Sequence, residues 1–299
     1  MPLNLRPLPR DYLALGVVVE PTSAGDRQKL AQLLHGGKAL GPAHVSDDPE
    51  SGLVVLGAAS EAQLDGAIET LRAAGIAMNV GAPQVAYREI LSAPVEADHT
   101  HKRVVGPKGD FARVRMRFEP NARSMSNTFS VAESSPIPAE YLPAIEKGFR
   151  AVIGGGSLTG FPIVACHATL VDGTHHDVDS SPLAFEIAAR AVFREAVPAE
   201  AVILLEPYLE VDITTPQALV GAVVSDFKSR RGVNTLKEAS PGVAAIYGFA
   251  PLANMLGYEA SLVSLTRGRA TYSWKLAGLE EVPAANRPDN FSPAAAKRG

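Results

Sequence analysis

The 299-residue chain contains a single cysteine, Cys166, so no internal disulfide is available to staple it. That usage fits a reducing compartment, and a cytoplasmic location is the expectation. No apolar run approaches the roughly 20 residues that a membrane-spanning helix needs. The first residues, MPLNLRPLPRDYLAL, lack the continuous apolar stretch of a secretory signal. Neither sign of charge dominates: 28 Lys and Arg stand against 32 Asp and Glu, a formal net charge of −4. This excludes a uniformly basic nucleic-acid coat and leaves room for local basic tips. Also missing is any GxxxxGK[ST] loop, whose amides and lysine would cradle phosphates. HGGKAL has a lysine but neither the spacing nor the hydroxyl. Without a nucleotide-binding motif the chain is expected not to be an enzyme and to carry no cofactor.

What is present is a recurring pattern. From residue 15, LGVVVEP reads as a β-branched strand and AGDRQKLAQLLHGG as a helix, with Leu30, Leu33 and Leu34 at helical spacing and Gly36 as its stop. HVSDD and GLVVLGAA read as two strands around a turn-rich PESG. SEAQLDGAIETLRAAG is a second helix, capped by Ser60, ended by Gly75 and apolar along Leu64, Ile68 and Leu71. IAMNVGAPQVAYREIL closes the segment as an extended run. The order βαββαβ is that of a ferredoxin-like sandwich. Residues 201–283 repeat the order with almost no residue matches, from the strand AVILLEPYLEVDITTP to the strand RATYSWKLAGLEEVP. Within the second helix of that repeat, LANMLGYEASLVSLTRG, the residues Met255, Leu262 and Leu265 read as core.

The middle differs. HKRVVGPKGDFARVRMRFEP reads as a hairpin or loop and then a strand, with Val114, Met116 and Phe118 alternating against Arg113, Arg115 and Arg117. PAEYLPAIEKGFRAVIGGG is a helix with a glycine stop, and FPIVACHATLVDG is a strand. SSPLAFEIAARAVFREAV is a helix with Ser181 at its N-cap and Pro182 at N1. The expected fold class is therefore α+β in three domains. Two ferredoxin-like βαββαβ sandwiches (15–91 and 201–283) flank an α/β domain (92–200), with an N-terminal arm (1–14) and a flexible tail (284–299).

One stretch of that middle domain concentrates chemistry. GTHHDVDSS, at 173–181, sets His175, His176, Asp177 and Asp179 within five residues, between a strand and a helix start. A metal-dependent hydrolase using these four is one reading, with His99 and His101 as distant helpers. Zinc needs three or four ligands converging on one point, and adjacent histidines in one loop seldom converge. A His/Asp dyad lacks a nucleophile, because Ser180 and Ser181 are better used as helix caps. GGGSLTG (154–160) has no following lysine–serine pair and reads as a helix stop. Cys166 and His167 are strand neighbours and point to opposite faces.

Several stretches together resemble a known family. VEP, PQVAYREI, IPAEYLPAIEKGFRA, LTGFPIVACHATLVDGTHHDVDSSPLAFEIAARAVFREA, VILLEPYLEVDITTP, SRRG and MLGYEASLVSLTRGRATYSW occur in the order and spacing of the C-terminal portion of bacterial translation elongation factor G. The resemblance spans about residues 15–283 and implies that family's third, fourth and fifth domains, without its GTPase domain. Two origins fit: a fragment of a translocation GTPase, or a stand-alone protein that has none. The sequence departs from the family pattern at Gln63, where a histidine is customary, at ESSPIP, where paired glycines are, and at Val263, where an arginine is. The first departure falls in the domain nearest the GTPase and tilts the expectation toward the stand-alone protein.

The resemblance also implies a third reading of GTHHDVDSS, as the tip of a domain that mimics the anticodon arm of tRNA. His176 falls on the family's tip histidine, with His175 beside it, and VGPKGDF (105–111) is the neighbouring tip loop. There Gly106 and Gly109 would permit close approach to RNA and Lys108 would contact phosphate. Asp177 and Asp179 would shape the loop, since phosphate repels a carboxylate. Arg230, Arg231, Arg267 and Arg269 are the implied contacts of the last domain to large-subunit ribosomal RNA. The implied partners are the ribosome, at its decoding region and factor-binding site, and a GTPase factor or domain; no membrane is implied.

Overall fold

The structure, a computed structural model, describes residues 3–9, 12–35, 40, 43–47, 54–105, 108–121, 123–156 and 160–287. The expected helix stop at Gly36, the tip glycine Gly106, the Ser157–Leu158–Thr159 part of the glycine run and the tail beyond residue 287 lie outside them. The chain divides into two compact units: Met1–Ala86 with Glu206–Glu280, and Tyr87–Leu205 with Glu281–Gly299. Among the described residues no helix is long and apolar enough to cross a membrane.

The first unit opens with β1 (Leu15–Pro21), α1 (Ala24–His35), β2 (His44–Asp47), β3 (Val54–Ala58), α2 (Glu61–Ala73) and β4 (Met78–Val80). The sheet order β2-β3-β1-β4, with antiparallel neighbours, is the ferredoxin-like arrangement expected from the element order. β1 takes a central place because Leu15, Val17 and Val19 need cover and are buried. Ser60 caps α2 by accepting the Gln63 amide at 3.2 Å, and Gln63 Oε1 accepts the Ala59 amide at 3.0 Å. Gln63 is therefore half of a reciprocal cap. The extended run that follows α2 is not one strand. After β4 it makes β5 (Gln84–Val85), which pairs with β1, and β6 (Arg88–Leu91), which belongs to the second unit and pairs there with Val202–Leu205.

The second unit continues with β7 (Val95–Val105), β8 (Lys108–Pro120), β9 (Thr128–Val131), α3 (Leu142–Gly154), β10 (Cys166–Thr174) and α4 (Pro182–Ala196). Its sheet runs β7-β8-β10-β9, antiparallel except for the β9–β10 pair. The alternation along β8 sorts its faces. Val114, Met116 and Phe118 are fully buried, and Phe118 packs on Phe149 of α3 and Phe193 of α4 at 6.0 and 5.0 Å between ring centres. On the other face Arg113 pairs with Asp98 and Asp172, Arg115 with Glu96, and Arg117 with Glu119. Cys166 is buried and its thiol is pushed up to about 12 by desolvation, which leaves it inert. His167, on the opposite face, lies 2.7 Å from the Thr128 hydroxyl and 3.1 Å from that of Ser130.

The first unit closes with β11 (Val202–Pro216) from Glu206 onward, α5 (Val220–Ser229), β12 (Val233–Ser240), β13 (Val243–Pro251), α6 (Leu252–Met255), α7 (Tyr258–Thr266) and β14 (Thr271–Glu281) as far as Glu280. The order β12-β13-β11-β14 repeats the first sheet's topology. Where a single helix was expected over LANMLGYEASLVSLTRG there are two, separated at Leu256–Gly257, because Gly257 takes a left-handed φ of 65°. The buried stripe of α7 is Tyr258, Leu262 and Thr266, on the same helical face as Met255. Met255 and Leu262 are core as expected; Leu265 is not, being 40% exposed beside that stripe.

Candidate nucleic-acid interface

The loop between β10 and α4 is held from two sides. On its own side, Ser181 is the N-cap of α4 and accepts the Ala184 amide at 3.1 Å. From the other side comes the start of β8, about seventy residues earlier. The Ser181 hydroxyl reaches Asp110 Oδ1 at 3.2 Å, and the Ser180 hydroxyl donates to the Phe111 carbonyl at 2.7 Å while accepting the His176 amide at 2.8 Å. The Phe111 amide donates to the Asp179 carbonyl at 2.9 Å, and the Gly109 amide donates to Asp179 Oδ1 at 3.1 Å. These bonds fasten the 175–181 loop to the end of the β7–β8 hairpin. Gly109 is needed for this contact, since a Cβ there would stand 2.8 Å from Asp179 Cγ.

Inside the frame, His176 Nδ1 accepts two backbone amides, Val178 at 3.3 Å and Asp179 at 3.2 Å. An imidazole nitrogen that accepts carries no proton, so the neutral ring keeps its hydrogen on Nε2. The side chain is 56% exposed, which makes that N–H a donor offered to solvent. Asp179 Oδ2 lies 3.4 Å from the same Nδ1. His175 lies against Tyr141, 6.3 Å between ring centres, with Nε2 3.6 Å from Asp177 Oδ1. Of the two aspartates expected to shape the loop, Asp179 has that place; Asp177 is 95% exposed. Lys108 begins β8, and its side chain lies outside the described residues. Lys102 and Arg103 are exposed near the end of β7.

The metal reading finds no support in this geometry. Among the described residues no group of three or more His, Cys, Asp or Glu is placed to hold a metal ion. His99 is engaged with Glu195 at 2.8 Å, and His101 Nε2 is 3.7 Å from Asp110 Oδ2.

The four arginines of the last sandwich separate into two pairs. Arg230 follows α5 and is tied to Asp226 at 3.1 Å and to the Asn254 carbonyl at 2.9 Å, with its guanidinium 4.9 Å from the centre of the Tyr258 ring. Arg231 forks onto Glu206, at 2.5 Å to Oε1 and 3.1 Å to Oε2. Glu206 is buried, and desolvation holds its carboxyl above the ordinary range even though Arg231 pulls the other way. Arg267 and Arg269, just past α7, are exposed. Arg267 takes a left-handed φ of 54° as the helix C-cap, and Arg269 Nε donates to the Thr266 carbonyl at 3.1 Å. The sequence missed Asp110 and Glu206, which decide which groups stay outside; a lone Asp or Glu carries no local signal of such a role.

The family model "Elongation factor G, domain IV" matches residues 83–200, and "Elongation factor G C-terminus" matches residues 203–289. The crystal structure of ttk003000868 from Thermus thermophilus is similar to 98% of the chain, with a TM-score of 0.68 and 29% identity. The chain spans 44% of the length of that protein.

Proposed function

The chain belongs to the elongation factor G family through its domain IV and C-terminal regions, and from that premise we propose that it is a translation-factor-like protein that binds the ribosome. The loop at 175–181 would enter the decoding region, with the Nε2–H of His176 donating to a phosphate or base. Lys102 and Arg103 lie on the same hairpin and would add phosphate contacts. Arg267 and Arg269 would meet ribosomal RNA at the factor-binding site, whereas Arg230 and Arg231 would act from inside the fold. With no nucleotide-binding motif in these residues, the chain would bind as the tRNA-like part of a factor, competing with a GTPase factor or completed by a GTPase domain. A cytoplasmic location goes with this reading.

The observation that carries the proposal is the doubly fastened tip: a histidine donor is held outward by a frame that spends its own aspartate and serines internally. Co-sedimentation with 70S ribosomes at moderate salt tests it. The chain is expected in the ribosome pellet, displaced by excess elongation factor G, with His176→Ala weakening retention about tenfold, the scale of one lost polar contact. A folded chain that stays wholly in the supernatant would overturn the proposal.

A further inference from the structure

The outer edge of β14 is occupied by the chain's own beginning. Arg6 and Leu279 exchange both backbone hydrogen bonds, Arg6 N–H to the Leu279 carbonyl at 2.8 Å and Leu279 N–H to the Arg6 carbonyl at 2.9 Å. This is the narrow antiparallel pair of a β-ladder. Residues 3–6 alternate as a strand does: Leu3 and Leu5 are half-buried, and Asn4 and Arg6 are exposed; beyond them Pro7 is exposed and Leu8 and Pro9 are half-buried. Beneath it, Gly278 has no room for a side chain, since a Cβ would stand 2.5 Å from the Arg6 carbonyl oxygen and 3.2 Å from Leu5 Cβ. Leu279 is fully buried.

Two prolines give this arrangement a direction. In a strand, neighbouring residues direct their amides to opposite sides. With Arg6 facing β14, the amides of residues 5, 7 and 9 would face outward. Residues 7 and 9 are proline and have none. The arm thus pairs inward and offers a blunted edge outward, a means of stopping further strand addition.

We propose that the outer edge of β14 is a strand-docking site, and that residues 3–9 are its resident ligand, an intramolecular strap. The site selects an extended segment with apolar residues at alternate positions and a free amide opposite the Leu279 carbonyl. Gly278 sets the depth at which that segment lies.

Two full-length variants test this by different routes. Gly278→Val keeps a good strand former in β14 and pushes the strap away. The Leu279 amide, followed by hydrogen exchange, should then exchange at least about tenfold faster while β11 amides keep their protection. Arg6→Pro removes the donor on the strap and leaves the site intact. A labelled peptide of residues 1–10 should bind this variant saturably and bind the wild-type chain at least about tenfold more weakly, because the tethered strap competes at high effective concentration. The same peptide should not bind Gly278→Val. A Leu279 amide that stays protected in Gly278→Val would overturn the proposal. So would a folded Arg6→Pro chain that ignores the peptide. Arg6 is exposed on the arm, so its variant reports on docking even if Gly278→Val does not fold.

Discussion

The tip loop of the second unit and the arginine turn after α5 use similar raw material to opposite ends. Both are short polar connections beside a helix terminus, and both pair basic side chains with carboxylates. At the tip, Asp179 and the two serines bond to backbone amides and carbonyls, so His176 is fixed through Nδ1 and its other nitrogen stays available. After α5, the carboxylate that matters is Glu206, a buried side chain of β11, and it draws Arg231 inward. A charged residue's availability is thus decided by where its neighbours' polar groups are spent. Local charge density does not decide it.

The largest effect should come from breaking the inward pair. Arg231→Ala leaves a buried carboxylate without its fork, and loss of one partner of a buried pair costs about 3 kcal/mol, measurable by urea unfolding. The cost should depend on pH. A carboxyl raised by burial keeps a proton that the unfolded chain has already released. Its stability contribution is therefore complete below the unfolded value near 4.5 and declines as pH rises through the folded one. Arg231 opposes that rise, so removing it widens the window, and the deficit should be greater at pH 8 than at pH 5. An equal deficit at both would mean that Arg231 acts through packing alone.

An intermediate effect tests the outward arrangement. Gly109→Ala puts a methyl group into Asp179, yet Asp179 is one-third exposed and can swing away. Stability should fall by roughly 1 kcal/mol, toward the lower end for overpacking, while retention on 70S ribosomes should drop about tenfold as the His176 frame loosens. Restoring retention by pairing Gly109→Ala with Asp179→Ser would identify the clash as the cause. If Gly109→Ala leaves retention intact, the fastening at Gly109 does not serve binding.

The legible part of this molecule was periodic. The β-branched run of β1, the alternation along β8, Ser60 and Ser181 as caps, and the repeated βαββαβ order follow from spacing within single elements, where the physics is local. What stayed hidden depends on partners far along the chain. Nothing near Arg231 announces Glu206, 25 residues before it, and nothing near Asp179 announces Gly109, 70 residues before it. Leu265 was misread because the face that carries Met255 and Leu262 continues to Thr266, and Leu265 stands one position beside it. Gln63 was a departure from a family pattern in the sequence and became half of a helix cap in the structure. The candidate tip was legible as a place, through its position between a strand and a Ser–Pro helix start, but its tautomer and its frame were not.

The smallest effect separates fold from binding most cleanly. Arg267 holds a left-handed conformation that costs a non-glycine residue about 1 kcal/mol, and it does so at a helix C-terminus where glycine is the usual occupant. Arg267→Gly should therefore raise stability, by up to about 0.5 kcal/mol once the added freedom of the unfolded chain is subtracted. It should also lower the dependence of ribosome retention on salt by about one counterion in the log–log slope. Opposite signs in the two measurements would show a residue kept against the preference of its own backbone. The same substitution at Arg231, equally left-handed at φ 64°, should destabilise, because there the side chain balances a buried charge that outweighs the strain.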